Sequence, residues 1–272
     1  MSERPIVFLS DFGTGDEWVG ICHAVIARIA PQSRVVDLSH EIHALNVAAG
    51  ARLLADSVPY LPQDAVVLAV VDPNVGKDRE VAVEVEGGRT LVGPDNGLLS
   101  LAWEVDGGVT AAVEITSDEV IVQPISQSFR ARDTLAPATA HLASGLALAD
   151  LGSPLDPATL QRLALTEPEG SPGKLHCEVV DSNRFGNVQL NAREEHLSAA
   201  GLDDAQWLEI VTLGKTTRAR RGKTYADFAR GDYGLIVDHR GWLTIVRANP
   251  WRALEDLDLA IGDPVWINAG SG

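Results

Sequence analysis

Two side chains stand out as able to do chemistry together, Asp72 and Arg79, on the stretch Val70-Val71-Asp72-Pro73-Asn74-Val75-Gly76-Lys77-Asp78-Arg79. The run before them, Ala65-Val66-Val67-Leu68-Ala69-Val70, is apolar without alternation, the pattern of a strand covered on both faces of a parallel sheet. Asp72 therefore falls at the carboxyl end of that strand, where ligands collect in open α/β sheets. Pro73, Asn74 and Gly76 turn the chain, so Arg79 can fold back toward the carboxylate. A carboxylate and a guanidinium on one tight loop are suited to holding a water or a small polar substrate group. A solvated Asp-Pro turn with a surface arginine nearby accounts for the same residues equally simply.

Other polar residues fall at strand ends in the same way: Ser10-Asp11 after a first strand, Asp16 just beyond, and Asp95-Asn96 later. Each alone reads as turn chemistry. Together they converge on one edge of a parallel sheet, where carboxylates can hold ribose hydroxyls, an ammonium or a sulfonium. Several alternative signals fail. Gly214-Lys215-Thr216-Thr217 has the tail of a P-loop, but position 209 is Glu and a strand precedes it. His40-Glu41-Ile42-His43 lacks HExxH spacing and a nearby third ligand, so a structural or exposed pair is favoured over a metal site. There is no G-x-G-x-x-G after the first strand and no G-x-S-x-G elbow. No metal site is expected.

The elements that must position these residues read as βαβαβ at the start: strand 6–9, helix 17–30, strand 34–38, helix 46–58 and strand 65–71. That order implies parallel strands with right-handed crossovers. A hairpin is expected over Val81–Val85 and Thr90–Val92 around Glu86-Gly87-Gly88-Arg89, then a short helix over 98–104 and a strand over 109–115. Asp133 is expected to cap a helix running to about Leu148. Thr166-Glu167-Pro168-Glu169-Gly170-Ser171-Pro172-Gly173 reads as a linker. Beyond it, short alternating strands over 175–180, 187–190, 208–213, 235–237, 242–246 and 265–267 read as a small β-barrel or sandwich. The expected fold is therefore an α/β class chain, with a mostly parallel α/β sandwich-type domain over 1–165 and a smaller antiparallel β-barrel over 174–272.

With 272 residues, 45% of them apolar, the chain can bury a sizeable core. Its 22 basic and 38 acidic residues give a net charge of −16, which speaks against nucleic acid or an anionic membrane as partner. No apolar run approaches the ~20 residues of a membrane span. Met1-Ser2-Glu3-Arg4-Pro5 leads straight into a strand without a signal or transit pattern. Cys22 and Cys177 are expected as buried, reduced thiols, so the expected location is cytoplasmic.

Taken in order, the motifs carry a resemblance. Ser10-Asp11-Phe12-Gly13 with Asp16, Val71-Asp72-Pro73-Asn74-Val75-Gly76 with Arg79, Pro94-Asp95-Asn96-Gly97, Ser128-Phe129-Arg130-Ala131-Arg132-Asp133 and Phe185-Gly186-Asn187 together resemble the S-adenosylmethionine hydroxide adenosyltransferase family, relatives of the fluorinase and chlorinase. Thr224-Tyr225-Ala226-Asp227 and Arg240-Gly241-Trp242-Leu243 extend the likeness through the second domain. The resemblance implies water or hydroxide attacking ribose C5′ of S-adenosylmethionine, giving adenosine and methionine without metal or added cofactor. It implies a homotrimer, with each site between the first domain of one subunit and the second domain of its neighbour. It assigns Asp72 to orienting water with Arg79 as partner, Asp11 to the ribose hydroxyls, Asp16 to the methionine ammonium and Asn187 to the adenine. Trp18, Phe129 and Tyr225 then line the pocket, and His239, Arg240 and Arg247 contribute contacts to methionine and adenine.

By the same resemblance the halogenases carry tyrosine at the position of Asp72 and a long insertion where this chain has the short Glu86–Arg89 turn, so the water-using branch is expected. A carboxylate there repels a halide. One departure stands against this. Hydroxide-using members have histidine where this chain has Arg130, and arginine cannot act as a general base. Arg130 is therefore expected either to keep an electrostatic role beside Asp72 or to fill the pocket. The alternatives to a hydrolase are a weak or non-catalytic S-adenosylmethionine or adenosine binder and, less favoured, a halogenase. Arg79 is expected to lower the pKa of Asp72 and keep it ionised.

Overall fold

The computed structural model describes residues 3–249 and 252–270; the outer ends of the two expected domains, Met1 and Gly272, lie outside the described residues. Two compact units divide the chain, Met1–Ala164 and Leu165–Gly272.

In the first unit β1 (Ile6–Ser10), α1 (Trp18–Ile29), β2 (Val35–Ser39), α2 (Val47–Ser57) and β3 (Val66–Val70) follow the expected order. β1 and β3 are buried along their whole length, as continuous apolar runs require. The hairpin of β4 (Glu80–Val85) and β5 (Thr90–Pro94) comes next, then α3 (Ser100–Val105), β6 (Val109–Ile115), α4 (Ala136–Ala143) and β7 (Gly152–Pro154). The strands lie in the order β2-β1-β3-β5-β4-β6-β7. The β2-β1-β3-β5 half is parallel and the rest antiparallel, because the hairpin reverses the chain at β4.

Successive residues of β1 and β3 feed opposite faces. Phe8, Leu68 and Val70 pack with Cys22 and Ile26 of α1 and with Leu135, Ala136 and Ala140 around α4. Val7, Leu9, Val67 and Ala69 pack with Ala51 and Leu54 of α2 and with Ala102 and Trp103 of α3. The result is a three-layer α/β/α sandwich. The chain winds from β1 to β2 on one side and from β2 to β3 on the other, so the strand order reverses between β1 and β3. That is the switch point where such sheets open a crevice.

The helix expected from Asp133 to Leu148 is shorter and starts differently. Residues Ala131–Leu135 form a wide π-helical turn, with the Ala136 N–H donating to Ala131 O, before α4 begins. Asp133 sits inside that turn instead of capping it, and its Oδ2 accepts the Ser126 N–H at 2.7 Å. Wide turns of this kind are frequent at functional sites.

The second unit contains β8 (Glu169–Ser171), β9 (Lys174–Ser182), β10 (Val188–Arg193), α5 (Glu194–Ala199), β11 (Trp207–Val211), β12 (Thr216–Arg221), β13 (Tyr233–Val237), β14 (Trp242–Arg247), α6 (Ala253–Asp256) and β15 (Pro264–Ala269). Strands β10-β14-β13-β12-β11-β15-β9 follow one another, and a β9–β10 ladder closes them into a seven-strand barrel with β8 outside β9. The barrel is antiparallel except for the β12–β13 pair, which is parallel. Its interior is filled by Leu175, Val179, Leu190, Leu208, Ile210, Leu243, Ile245 and Ile267. The expected linker thus includes strand β8 (Glu169–Ser171), and β12 was absent from the expected strands.

Candidate active site

Parallel register brings the first carboxylates together. Ser10 at the end of β1 pairs with Val70 at the end of β3, and the Asp11 N–H reaches Val70 O at 3.3 Å. Asp11 and Asp72 therefore leave adjacent strands at the same edge, at the switch point. A cavity of about 580 Å³ opens there, lined among others by Asp11, Phe12, Trp18, Leu45, Asp72, Phe129 and Arg130. That size suits a nucleoside-sized ligand.

Its floor is held by unusual backbone. Asp11 Oδ2 accepts the Leu45 N–H at 2.8 Å, and Leu45 has a φ of 64°, a left-handed conformation that costs an apolar side chain energy. Gly76, with φ 79°, turns the Asp72 loop so closely under the next wall that a Cβ there would stand 3.2 Å from Gln127 O. The Asp72 loop and the segment carrying Phe129 and Arg130 are thereby packed against one another. The other wall is aromatic: Phe12 meets Trp18 edge-on at 5.9 Å and Phe129 edge-on at 6.2 Å. Such faces favour flat rings and positive charge.

Asp72 is half-buried, and its Oδ1 accepts the Asn74 N–H at 2.8 Å. Burial raises its pKa; the Asn74 hydrogen bond works the other way, while the negative charges of Asp78 and Asp11 add to the rise. The expectation that Arg79 lowers this pKa does not hold in this structure. Arg79 turns away from Asp72 and binds the buried Asp95 through Nε at 3.1 Å and through Nη2, with Nη2 also donating to Thr159 O at 2.9 Å. A buried carboxylate attracts the guanidinium more strongly than a wetter one because less of the charge is screened by water.

Arg130 lines the cavity but is likewise engaged elsewhere. Its Nε donates to Glu80 Oε1 at 2.6 Å and its Nη2 to Glu80 Oε2, a two-point fork that leaves Nη1 as the atom able to turn to the cavity. Burial raises the pKa of Glu80; the Arg130 hydrogen bonds and charge oppose the rise, and Asp72 adds to it, so Glu80 and Asp72 feel one another's charge. Sequence reasoning missed Glu80 and Leu45 here, and it named Asp95 and Phe12 only within strand-end motifs, without the partners the structure gives them. Glu80 and Asp95 stand at strand ends (β4 and β5), and their pairing partners come from other segments of the chain.

Asp16 is exposed on the loop entering α1 and does not line the cavity, whereas Trp18, at the start of α1, does. In the second unit Asn187 is buried, with Nδ2 3.4 Å from the Tyr225 hydroxyl and Oδ1 left without a hydrogen-bond partner among the described residues. Burial and the nearby Asp238 raise the pKa of Tyr225. Arg240 donates to Gln189 Oε1 at 2.9 Å and stands 3.6 Å from Asp181, while Gln189 Nε2 donates to Asp238 at 2.7 Å. Asn187, Tyr225 and Arg240 thus belong to one polar patch on the barrel. His239 is exposed beside it in sequence. Arg247 is at the far end of β14 from Arg240, paired with Asp256 and lying over the Tyr233 ring.

Sequence profiles of two domains match this chain: the SAM hydroxide adenosyltransferase N-terminal domain over residues 6–152 and the C-terminal domain of the same family over residues 177–266. An (R)-S-adenosyl-L-methionine hydrolase from Salinispora tropica is 39% identical over 97% of this chain and 98% of its own. One from Thermus thermophilus is 44% identical over 68% of this chain and 73% of its own. A fluorinase from Actinopolyspora mzabensis is more distant, 28% identical over 95% of this chain and 97% of its own. Among solved structures, a Thermotoga maritima protein superposes with a TM-score of 0.87 at 30% identity, over 97% of this chain and 99% of that one.

Proposed function

This chain belongs to the SAM hydroxide adenosyltransferase family, and from that premise we propose that it hydrolyses S-adenosylmethionine to adenosine and methionine with Asp72 orienting the attacking water. The reaction class rests on the hydrolases that resemble it over nearly its full length. Since those relatives are named for the (R) sulfonium epimer, that epimer is the first substrate to test.

The observation that carries the mechanism is the Asp72 carboxylate, half-buried in an aromatic cavity at the switch point, with a pKa raised by burial. In the step, a water oxygen bonds to C5′ as the C5′–S bond breaks, and the electron pair leaves on sulfur to give neutral methionine. The sulfonium makes that departure easy, so the protein's part is in-line positioning and exclusion of bulk water. Asp72 accepts a hydrogen bond from the water and takes its proton as the C–O bond forms. A carboxylate with a raised pKa is a better proton acceptor than a solvated one. Asp11, which keeps Oδ1 available while Oδ2 holds Leu45, is assigned to the ribose hydroxyls, and the exposed Asp16 to the methionine ammonium.

Arg79 supports Asp72 indirectly, by anchoring the end of its loop to Asp95. Arg130, neutralised by Glu80, offers Nη1 to the cavity as a fixed positive group and takes no proton. Asn187, Tyr225, His239, Arg240 and Arg247 are assigned to a neighbouring subunit's share of the site, in a homotrimer. The unmet acceptor Asn187 Oδ1 suits the exocyclic amine of adenine. No helix among the described residues is long and apolar enough to cross a membrane, and the proposed location is the cytoplasm.

The test is incubation of purified protein with each epimer of S-adenosylmethionine, with and without chloride, following nucleosides by chromatography. Adenosine above the level of Asp72→Asn supports the reading. Tight binding without adenosine makes the chain a binder, and a 5′-chloroadenosine peak moves it to the halogenases.

A further inference from the structure

Away from the cavity, on the α1 face at the β2 edge of the first sheet, three side chains from distant points in the sequence converge. His23 Nε2 from α1 lies 2.8 Å and His40 Nε2 lies 3.0 Å from one oxygen, Asp37 Oδ1 on β2. The three donor atoms all fall within 4.8 Å of one another, and this is the one such group of metal-ligating side chains among the described residues. Two imidazoles sharing a carboxylate can be a plain surface charge pair. His40 argues otherwise.

That ring is 6% exposed, and its Nε2 is buried without a properly directed hydrogen bond although Asp37 Oδ1 is within contact distance. Its other nitrogen, Nδ1, is 2.7 Å from Ser10 Oγ, a hydroxyl with no exposure. A hydroxyl can donate or accept, so Ser10 can take the Nδ1 proton in a hydrogen bond and free the Nε2 lone pair for a cation. Metal-bound histidines are regularly fixed this way from behind. Phe8 holds both rings, 4.6 Å from His40 and 6.0 Å from His23 between centroids.

We propose that His23, Asp37 and His40 form a site for one zinc-class divalent cation per chain. Two imidazoles and one carboxylate are a borderline donor set: magnesium and calcium prefer oxygen alone, and zinc accepts this set with a fourth position left to water. Asp37 and His23 are open to solvent at the edge strand, which gives the cation its entry. The site takes no part in the attack on C5′. Its effect is mechanical: it fastens α1 to β2, and because His40 O accepts the Gly13 N–H at 2.7 Å, it steadies the loop that bears Asp11 and Asp16. The three positions, 23, 37 and 40, match no ligand spacing, which is why His40-Glu41-Ile42-His43 read as unpromising: its partner is not His43.

The experiment uses untagged full-length chain stripped with chelator, titrated with zinc chloride by calorimetry and with cobalt chloride by visible absorption. Saturable binding of one equivalent is expected, with cobalt bands of a low-coordinate site and a melting temperature that rises with zinc. His23→Gln and Asp37→Asn, both at solvent-facing positions, should each weaken zinc by more than the ~10–100-fold typical of losing an outer-shell partner. His141→Gln should bind as the parent does. Absence of stoichiometric binding, or binding unchanged in both variants, overturns the proposal. The readout is metal binding, so it stands apart from the adenosine assay.

Discussion

Arg130 lays its guanidinium fork on the carboxylate of Glu80, with Nε 2.6 Å from Oε1. The family resemblance leads one to expect histidine at position 130, and the structure accounts for arginine there by supplying a buried acid to match it. The two partners sit on elements fifty residues apart in the sequence. Arg130→His alone should therefore not restore a more ordinary site. It strands Glu80 without its guanidinium and should cost about 2–4 kcal/mol of stability, toward the lower end because Arg130 is partly solvated. The double variant with Glu80→Gln should regain most of that. Urea unfolding of the two single variants and the double one measures it, and a simple sum of the single effects would show that the pair is not coupled.

Asp72→Asn separates chemistry from binding. The amide keeps the Asn74 N–H acceptor and the side-chain shape but cannot take a proton, so turnover should fall ~100-fold or more. The KM should stay within a few-fold. A large rise in KM with turnover preserved would make Asp72 a binding residue and not the water's partner.

The pH profile follows from the same carboxylate. Burial first, then Asp78 and Asp11, raise the pKa of Asp72 in the folded protein, so on acidification its active ionised form is lost at a higher pH than for a solvated aspartate. The acid limb of kcat/KM should sit above the value of a solvated aspartate and shift downward in Asp78→Asn. Stability has the opposite sign. A carboxyl raised on folding binds more protons folded than unfolded, so its ionisation costs stability between the two pKa values and the cost is fully in place at neutral pH. Asp72→Asn should consequently melt at or above the parent temperature while losing activity.

Much of this arrangement was legible in the sequence. The apolar runs 6–9 and 65–71 read as strands of a parallel sheet, and their ends put Asp11 and Asp72 side by side. The aromatic wall of Phe12 could not be read, because its neighbours Trp18 and Phe129 reach it from other elements. Nor could β12: Thr216–Arg221 buries only Ala219, so it shows no apolar alternation and is recruited by its neighbours' hydrogen bonds. Ion-pair partners were least visible. Asp72 and Arg79 are close in sequence, but Asp95 offers the arginine a drier carboxylate on the next strand. Proximity along the chain gave the wrong partner.

That partnership yields the sharpest prediction about Arg79. If it acted on Asp72 directly, Arg79→Lys and Asp95→Asn would have different effects: the first would alter the acid limb of the rate profile and the second would leave it in place. The structure routes Arg79 through Asp95, whose Oδ1 also accepts the Gln161 N–H at 2.8 Å, so both changes loosen one junction between the Asp72 loop and residues 159–161. Each should lower turnover by a similar factor and reduce stability, and the double variant should lose little beyond either single one, with a coupling of about 1–3 kcal/mol in a double-mutant cycle. The acid limb should hardly move in any of the three, because the guanidinium is not what sets the Asp72 pKa. A clear upward shift of that limb in Arg79→Lys alone would return Arg79 to the side of Asp72.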